Sequence, residues 1–490
     1  MVPHSLSGLT SFGYLFPDLQ EDPTDLLPRG SGTLRALDKL GRDMVDTGNG
    51  ESSDIPAAYT YFGQFVDHDI VMEARSDEIA DIASPDLEPL LLQNVLFEIK
   101  NTRSAALDLD SVYGPPALRQ GEKLRLGEVS EFRRPVPPDD PFHDLFRQGH
   151  MPGEPGRDRQ ALIGDPRNDE NLIIAQLHVA FLRAHKALVE RSGMSFEQAR
   201  RTLRQHYQWI VIHDFLPRVV DPGIFSATLA GARFYDPLRK PFFLPLEFTA
   251  AAFRFGHSMV RQSYRHNEIF ENATLKELFT FTALSGDFNP PPLPGERVPA
   301  GGFETLPSGW IIDWSGFVGP EARNKARLID TNLAEPLLEL PDMMGQVRRD
   351  EARLAVRNLR RGYLMRIPTG QAVARRMGLE PLTPNQIRDV TTLAQSGTLA
   401  DAGLLERTPL WFYILAEAKH HNRGERLGPV GSTLVAEVLI GLVRRSEDSI
   451  LAGSGGWRPS LGPEGRFDLP DLLRLAGVLP PDQPAIPPPT

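Results

Sequence analysis

Eight consecutive residues, Gly63-Gln64-Phe65-Val66-Asp67-His68-Asp69-Ile70, constrain the fold of this chain more than any other segment. An amide, an imidazole and two carboxylates fall within about two helical turns, among Tyr61, Phe62, Phe65, Val66 and Ile70. The apolar neighbours imply burial, and buried ionisable groups require partners or a metal. Other segments must therefore be brought to this one. Residues three and four apart on a helix share a face, so Gln64, Asp67 and His68 project together. Asp69 lies about 200° around from Asp67, at about 100° per residue, and projects elsewhere. One short helix thus lines a pocket with three polar groups and holds something different behind it. A solvated face is the bland alternative, and the aromatic and aliphatic flanks argue against it.

Three further blocks carry chemistry. In Gly164-Asp165-Pro166-Arg167-Asn168-Asp169-Glu170-Asn171, Arg167 and Glu170 are three apart at a helix start and can point into one cavity. Helix capping plus a surface ion pair would explain them equally well. Phe253-Arg254-Phe255-Gly256-His257-Ser258 places a histidine in an apolar run, where a satisfied core imidazole is the ordinary finding. Gly256 beside it would let a flat group approach the backbone. Asn358-Leu359-Arg360-Arg361 supplies an amide able to orient an imidazole from behind.

The rest of the chain reads as mainly α, loop-rich, with few short strands. Residues 1–55 are polar and punctuated by Gly and Pro, as in a wrapping arm. Helical spacing is expected over 57–72, 171–192 (capped by Asn168 or Asp169), 196–219, 247–264, 335–360, 370–377, 383–396, 410–420 and 431–445. In the helix over 383–396, Thr383 caps and Pro384 takes the first position. Residues 104–110 alternate as an extended loop or strand would. Residues 131–170 and 288–305 read as loop, and the Pro-rich end, 480–490, as loosely held.

Taken together, the four blocks resemble the peroxidase–cyclooxygenase superfamily, the animal-type haem peroxidases, over roughly residues 55–445. The resemblance implies one large α-helical haem peroxidase domain (56–450), preceded by an arm (1–55) and followed by a C-terminal extension (451–490), although 490 residues would by length alone allow about three domains. It makes His257 the proximal ligand of a haem b iron, with Asn358 orienting it through the side-chain carbonyl and Arg254 close by among the cofactor-binding residues. It makes His68 the acid–base group that moves the proton of hydrogen peroxide, Arg167 the stabiliser of developing negative charge, and Gln64 a neighbour of the halide and water site. Asp67 and Glu170 match the carboxylates that esterify haem. Asn171 stands where a sulfonium-forming Met would follow that Glu, which directs the expectation away from chloride and toward bromide, iodide, thiocyanate or phenols. Asp69, Ser104, Ala106, Asp108 and Asp110 match a calcium loop, for which an Asx-turn is the structural alternative.

Composition narrows the alternatives. With no cysteine, disulfides, iron–sulfur clusters and thiol catalysis are excluded. A net charge of −11 disfavours nucleic acid and anionic membrane as partners. No apolar run approaching a membrane span is expected, and the first residues lack a signal-peptide pattern, so a cytoplasmic location is the default expectation. His178, His185, His206 and His213 read as core or supporting polar residues. A fatty-acid dioxygenase is the nearest competing function. Its radical Tyr in cyclooxygenases stands three residues before the proximal His, where this chain has Arg254. A phosphohydrolase using the dipeptides His68-Asp69 and His213-Asp214 is a more distant one.

Overall fold

Helix α2, Ala58–Ile70, sits at the centre of the molecule and is packed from behind by aromatic rings. Phe65 stacks on Phe181 with centroids 4.4 Å apart, and Phe62 meets Tyr207 and Phe215 edge-on. Burying one such ring contributes about 1.5–3 kcal/mol, so the rear face fixes the rotation of α2 about its axis. The computed structural model describes residues 9–481 apart from 47, 49, 76–81, 83, 116, 117, 137, 152, 155, 156, 280–293, 339–352, 454 and 455.

Two long helices supply the packing surface. Helix α3, Leu172–Ser192, begins at Asn171, whose side chain accepts the Ile174 N–H. Asn171, not Asn168 or Asp169, is therefore the cap. The helix ends at Gly193, in the left-handed region at φ 65°, the conformation that closes many helices. Helix α4, Phe196–Ile210, starts with a reciprocal capping box between Ser195 and Gln198 and continues through a π-helical turn to Val219. Helix α3 is long and apolar enough to cross a membrane, contrary to expectation, but 83% of its apolar window is buried in the fold. It packs against α2 and against the C-terminal helix Leu469–Leu475.

A small sheet ties the two halves of the site together. Strand β1 (Thr10–Gly13) pairs in parallel with β4 (Phe243–Pro245) and antiparallel with β3 (Ile99–Asn101), which also pairs with β2 (Glu73–Arg75). Strand β2 follows α2 directly, and β4 leads into the His257 segment. The sheet thereby links the exit of one wall to the entrance of the other.

Several local expectations change. Residues 31–43, expected within an irregular arm, form helix α1 with Leu34, Leu37 and Leu40 buried. The helix expected over 247–264 is a helical turn, Leu246–Thr249, then a 3-10 stretch, Ala252–Met259, then a short strand. The stretch 383–396 is split into Pro384–Val390 and Leu393–Asp401 by a second capping box at Thr392. Residues 104–110 form no strand; Ala105 and Leu109 adopt left-handed backbone at φ 49° and 58°, which folds the segment into a tight loop. Of the loop expected over 288–305, the helix over 335–360 and the tail over 480–490, residues 288–293, 339–352 and 482–490 lie outside the described residues. Helices α5 (Leu354–Leu364), α6 (Leu410–Asn422) and α7 (Pro429–Arg445) complete the second wall.

Candidate functional site

The first wall is α2 with the turn Pro166–Asp169. Gln64, Asp67 and His68 face one way, as their spacing requires, and the turn brings Glu170 to them. The Gln64 Nε2 donates to Glu170 Oε1 at 2.5 Å, and His68 Nε2 lies 3.9 Å from the same oxygen. Behind the ring, His68 Nδ1 is 2.9 Å from Asn168 Oδ1. Burial and the neighbouring Arg167 push the His68 imidazole down to about 3, so it is a neutral base at ordinary pH. Burial pushes Glu170 up to about 7. The Asp67 carboxyl is also raised by burial, against the charges of Arg167 and Arg254.

Arg167 is held by a residue that sequence reasoning did not single out. Asp165, fully buried, accepts from Arg167 Nε at 3.0 Å and Nη2 at 2.7 Å, and from Arg103 Nη2 at 2.5 Å. Against the cost of burial, the hydrogen bonds and charge of Arg167 hold Asp165 well below the usual carboxylate range. Nη2 of Arg167 also donates to the backbone carbonyls of His68 and Val71. The guanidinium is therefore fixed in direction, with Nη1 as the end left outside these bonds. The signal for Asp165 was present: Asp before Pro at the start of a helical turn is an N-cap pattern, and its side chain does accept the Arg167 N–H.

The second wall is the 3-10 stretch carrying His257. In a 3-10 helix, residues three apart eclipse, so Arg254 lies over His257. Asn358 on α5 reaches both: its Nδ2 is 2.9 Å from His257 Nδ1, and its Oδ1 accepts from Arg254 Nη1 at 3.0 Å. The expected polarity, with the Asn358 carbonyl accepting from His257, is reversed. A guanidinium has only donors, so it takes the carbonyl and turns the amide N–H toward the ring. Arg254 is itself anchored by Nε to the Thr249 carbonyl. Burial, with the like charge of Arg361, pushes Arg254 down to about 9, and burial with Arg254 pushes His257 down to about 3. Trp411 on α6, also missed in the sequence, stands edge-on 6.4 Å from the His257 ring and donates to the Arg254 carbonyl.

The residues present fit a haem between these walls. A Cβ added to Gly256 would meet nothing within 4 Å, so the backbone beside His257 is open to a flat group. Gln64, Asp67, Arg254, Gly256 and His257 keep accessible surface although the segments carrying them are otherwise buried. His257 would be the iron ligand, through Nε2. With Nδ1 accepting from Asn358, a neutral ring carries its proton on Nε2, and ligation through Nε2 would release that proton to solvent as haem binds.

The candidate calcium residues lie behind α2. Asp69, fully buried, accepts from the N–H groups of Leu109 and Ser111 at 3.1 and 3.0 Å. Ser104 Oγ donates to Asp108 at 3.0 Å. Burial and the charge of Asp108 raise Asp69; burial and the charge of Asp110 raise Asp108. The carbonyls of Asp108 and Ser104 are taken by Arg204 and Arg445, and Arg103 pairs with Asp110 at 3.5 Å. Among the described residues, no three acidic or imidazole side chains converge to hold an ion. Ala106 lies in this loop, 7% exposed, and would offer only its carbonyl.

The other histidines separate. His178, His185 and His206 are core residues, whereas His213 is exposed and lies tilted against the Trp209 ring. Asp214 binds Tyr59 and Arg218, so the two His-Asp dipeptides do not form one site.

Comparison with known proteins points to haem peroxidases. The animal haem peroxidase family model matches residues 93–294, a stretch containing Arg167, Glu170 and His257. A peroxidase-like protein of Margaritifera margaritifera is 27% identical over 284 residues, covering 47% of this chain and 35% of that protein. A peroxidasin homologue of Caenorhabditis elegans is 23% identical over 352 residues, 69% of this chain and 24% of that protein. The matches thus span about a third or less of these relatives' length. Peroxidase A of Dictyostelium discoideum shares the fold at 16% identity, with a TM-score of 0.59 over 91% of this chain and 90% of that one. Fatty acid alpha-dioxygenase of Oryza sativa does so at 14% identity, with a TM-score of 0.56 over 95% and 80%. The two walls and these matches place residues 93–294 in similarity to the animal haem peroxidase family, and the fold of the whole chain in similarity to a peroxidase and a fatty acid alpha-dioxygenase.

Proposed function

We propose that the protein is a haem peroxidase that reduces hydrogen peroxide at the expense of bromide, iodide, thiocyanate or small phenols. The observation that carries the reading is the α2 wall. A neutral imidazole, its Nε2 3.9 Å from Glu170, stands beside an arginine fixed by a buried aspartate. A bound haem supplies the iron that binds peroxide and accepts the electrons of the donor. The chain supplies proton handling and orientation. His68 Nε2 takes the proton from one peroxide oxygen and returns it to the other as the O–O bond breaks. Arg167, unable to lose its charge, faces the negative charge that develops. Gln64 holds Glu170 and so shapes the space for a small anion or water. The balance is one peroxide and two phenols to two waters and two phenoxyl radicals, or one peroxide, one halide and one proton to hypohalous acid and water.

The absorption spectrum of the purified protein with haem, before and after peroxide, together with oxidation of these donors, tests the proposal. A protein that takes up no haem, or one that oxidises no donor with peroxide, overturns it. The dioxygenase reading has the Oryza sativa fold likeness behind it; Arg254, committed to Asn358 and Thr249, stands where cyclooxygenases have their tyrosine, which argues against that version and leaves a tyrosine elsewhere to serve. Oxygen uptake with linoleate and no added peroxide would reverse the choice.

Two finer proposals accompany the first. Asp67 and Glu170 form ester links to haem; mass spectrometry after acid denaturation of peroxide-treated protein should find haem attached, and free haem refutes it. Calcium binds at Asp69, Ser104, Ala106, Asp108 and Asp110; the mutual crowding of these carboxylates supports it, and the arginines on the loop carbonyls count against it. An Asp108→Ala variant with full calcium content and stability would sink the assignment.

A further inference from the structure

We propose that Asn168 and His178 are positioning residues that hold the His68 ring with its proton on Nδ1 and its Nε2 lone pair toward the reaction space. The proposal rests on the peroxidase reading for its consequence, but not for its geometry.

A carbonyl oxygen carries no proton, so the 2.9 Å contact from His68 Nδ1 to Asn168 Oδ1 requires Nδ1 to donate. A neutral imidazole has one proton, which leaves Nε2 bare. The opposite arrangement is reached by turning the Asn168 amide over. The N–H₂ would then face His68, the ring proton would move to Nε2, and the base would be lost. What opposes that turn is on α3. Asn168 Nδ2 lies 3.0 Å from His178 Nδ1 and donates to it, so turning the amide sets its carbonyl against a bare Nδ1 unless the His178 proton moves as well.

The contact leaves a mark. With Nδ1 accepting, His178 carries its own proton on Nε2, and that atom is fully buried without a hydrogen-bond partner. An unpaired buried donor is destabilising and calls for an explanation. Burial keeps His178 neutral, pushed down to about 3, so it remains able to accept at Nδ1. The chain His68–Asn168–His178 joins α2, the Arg167 turn and α3, and all three residues are buried. It also suits the charged stage. When His68 takes the peroxide proton at Nε2, its Nδ1–H keeps the same acceptor, and a charged donor makes that bond stronger. The proton then goes to the departing oxygen, which leaves as water.

The experiment combines structure and turnover in the full-length chain. With ¹⁵N-labelled histidine, and His68→Gln to assign the signals, His68 should show a protonated Nδ1 and a bare Nε2. Asn168→Leu should lower kcat for peroxide turnover about 100-fold, the lower end of what acid–base catalysis contributes, with the donor KM unchanged. Asn168→Asp keeps an acceptor facing Nδ1 and should restore most of the rate. A His68 protonated on Nε2 in the unaltered protein overturns the proposal, as does an Asp variant as slow as the Leu variant. If Asn168→Leu fails to fold, the Asp variant and the labelled unaltered protein still decide. If the unaltered chain turns over no peroxide, the reaction reading fails while the ¹⁵N signals still judge the positioning.

Discussion

The two walls of the site each back an imidazole with an asparagine, and they do so with opposite polarity. On the α2 wall Asn168 offers its carbonyl to His68; on the other wall Asn358 offers its amide N–H to His257. The residue behind each asparagine makes the difference. His178, with its proton on Nε2, accepts at Nδ1, whereas Arg254 can only donate. The peroxide-facing ring is thus left with a bare Nε2, whereas His257 accepts at Nδ1. An asparagine beside a histidine does not state a polarity; its second partner does.

The anchors of the two walls differ in the same way. Asp165 anchors Arg167 as an ion below the usual carboxylate range. Glu247, just before the His257 stretch, accepts the N–H groups of Leu15 and Phe16, and burial pushes it up to about 7. One anchor is strongest ionised, the other protonated.

Substitutions can break this comparison, the largest effect first. His257→Ala should abolish haem retention, whereas His68→Ala should keep haem and lose about 100- to 10,000-fold in peroxide-driven oxidation; the Soret band and donor turnover, measured together, separate the walls. Equal haem loss in both would erase the distinction. Asp165→Ala leaves Arg167 and Arg103 facing an emptied buried site and should cost about 3–5 kcal/mol, read as the shift of the urea midpoint at neutral pH.

Glu247→Gln acts in the opposite pH direction. Because its folded-state carboxyl is raised to about 7 from 4.5, its contribution is complete below about 4.5 and is lost as pH rises through about 7. The loss is about 3 kcal/mol at most. Asp165, held low, contributes above its ordinary value and loses that contribution in acid. Thermal unfolding of Glu247→Gln should therefore decline less between pH 5 and 7 than that of the unaltered protein; parallel curves would refute the raised carboxyl. The smallest effect is expected from Arg254→Leu. In the haem-free chain it frees the Asn358 amide to turn, and the ¹⁵N signals of His257 should shift from Nε2–H toward Nδ1–H. Unchanged signals would mean that Arg254 does not set the polarity.

Much of the site was legible because short spacing fixes direction. Gln64, Asp67 and His68 share a face at any helical period near 3.6, and Arg167 and Glu170 meet across three residues of a turn. The pairing of His257 with Asn358 came through resemblance. The break in the helix expected over 247–264 was not legible, since a few apolar residues do not distinguish a repeat of 3.0 from one of 3.6. That break sets Arg254 over His257. Asp165 had a capping signature, but its second partner, Arg103, is 62 residues away. Trp411 carried no local signal.

The sequence by itself determined which residue types line each wall and the mainly helical class, because periodicity and side-chain chemistry are local properties. Only the tertiary structure decided what each polar group does. Asn168, which reads as a cap, became the acceptor for His68, and Arg254 reversed Asn358. Hydrogen-bond polarity belongs to a chain of three groups from separate segments, and no segment contains it alone.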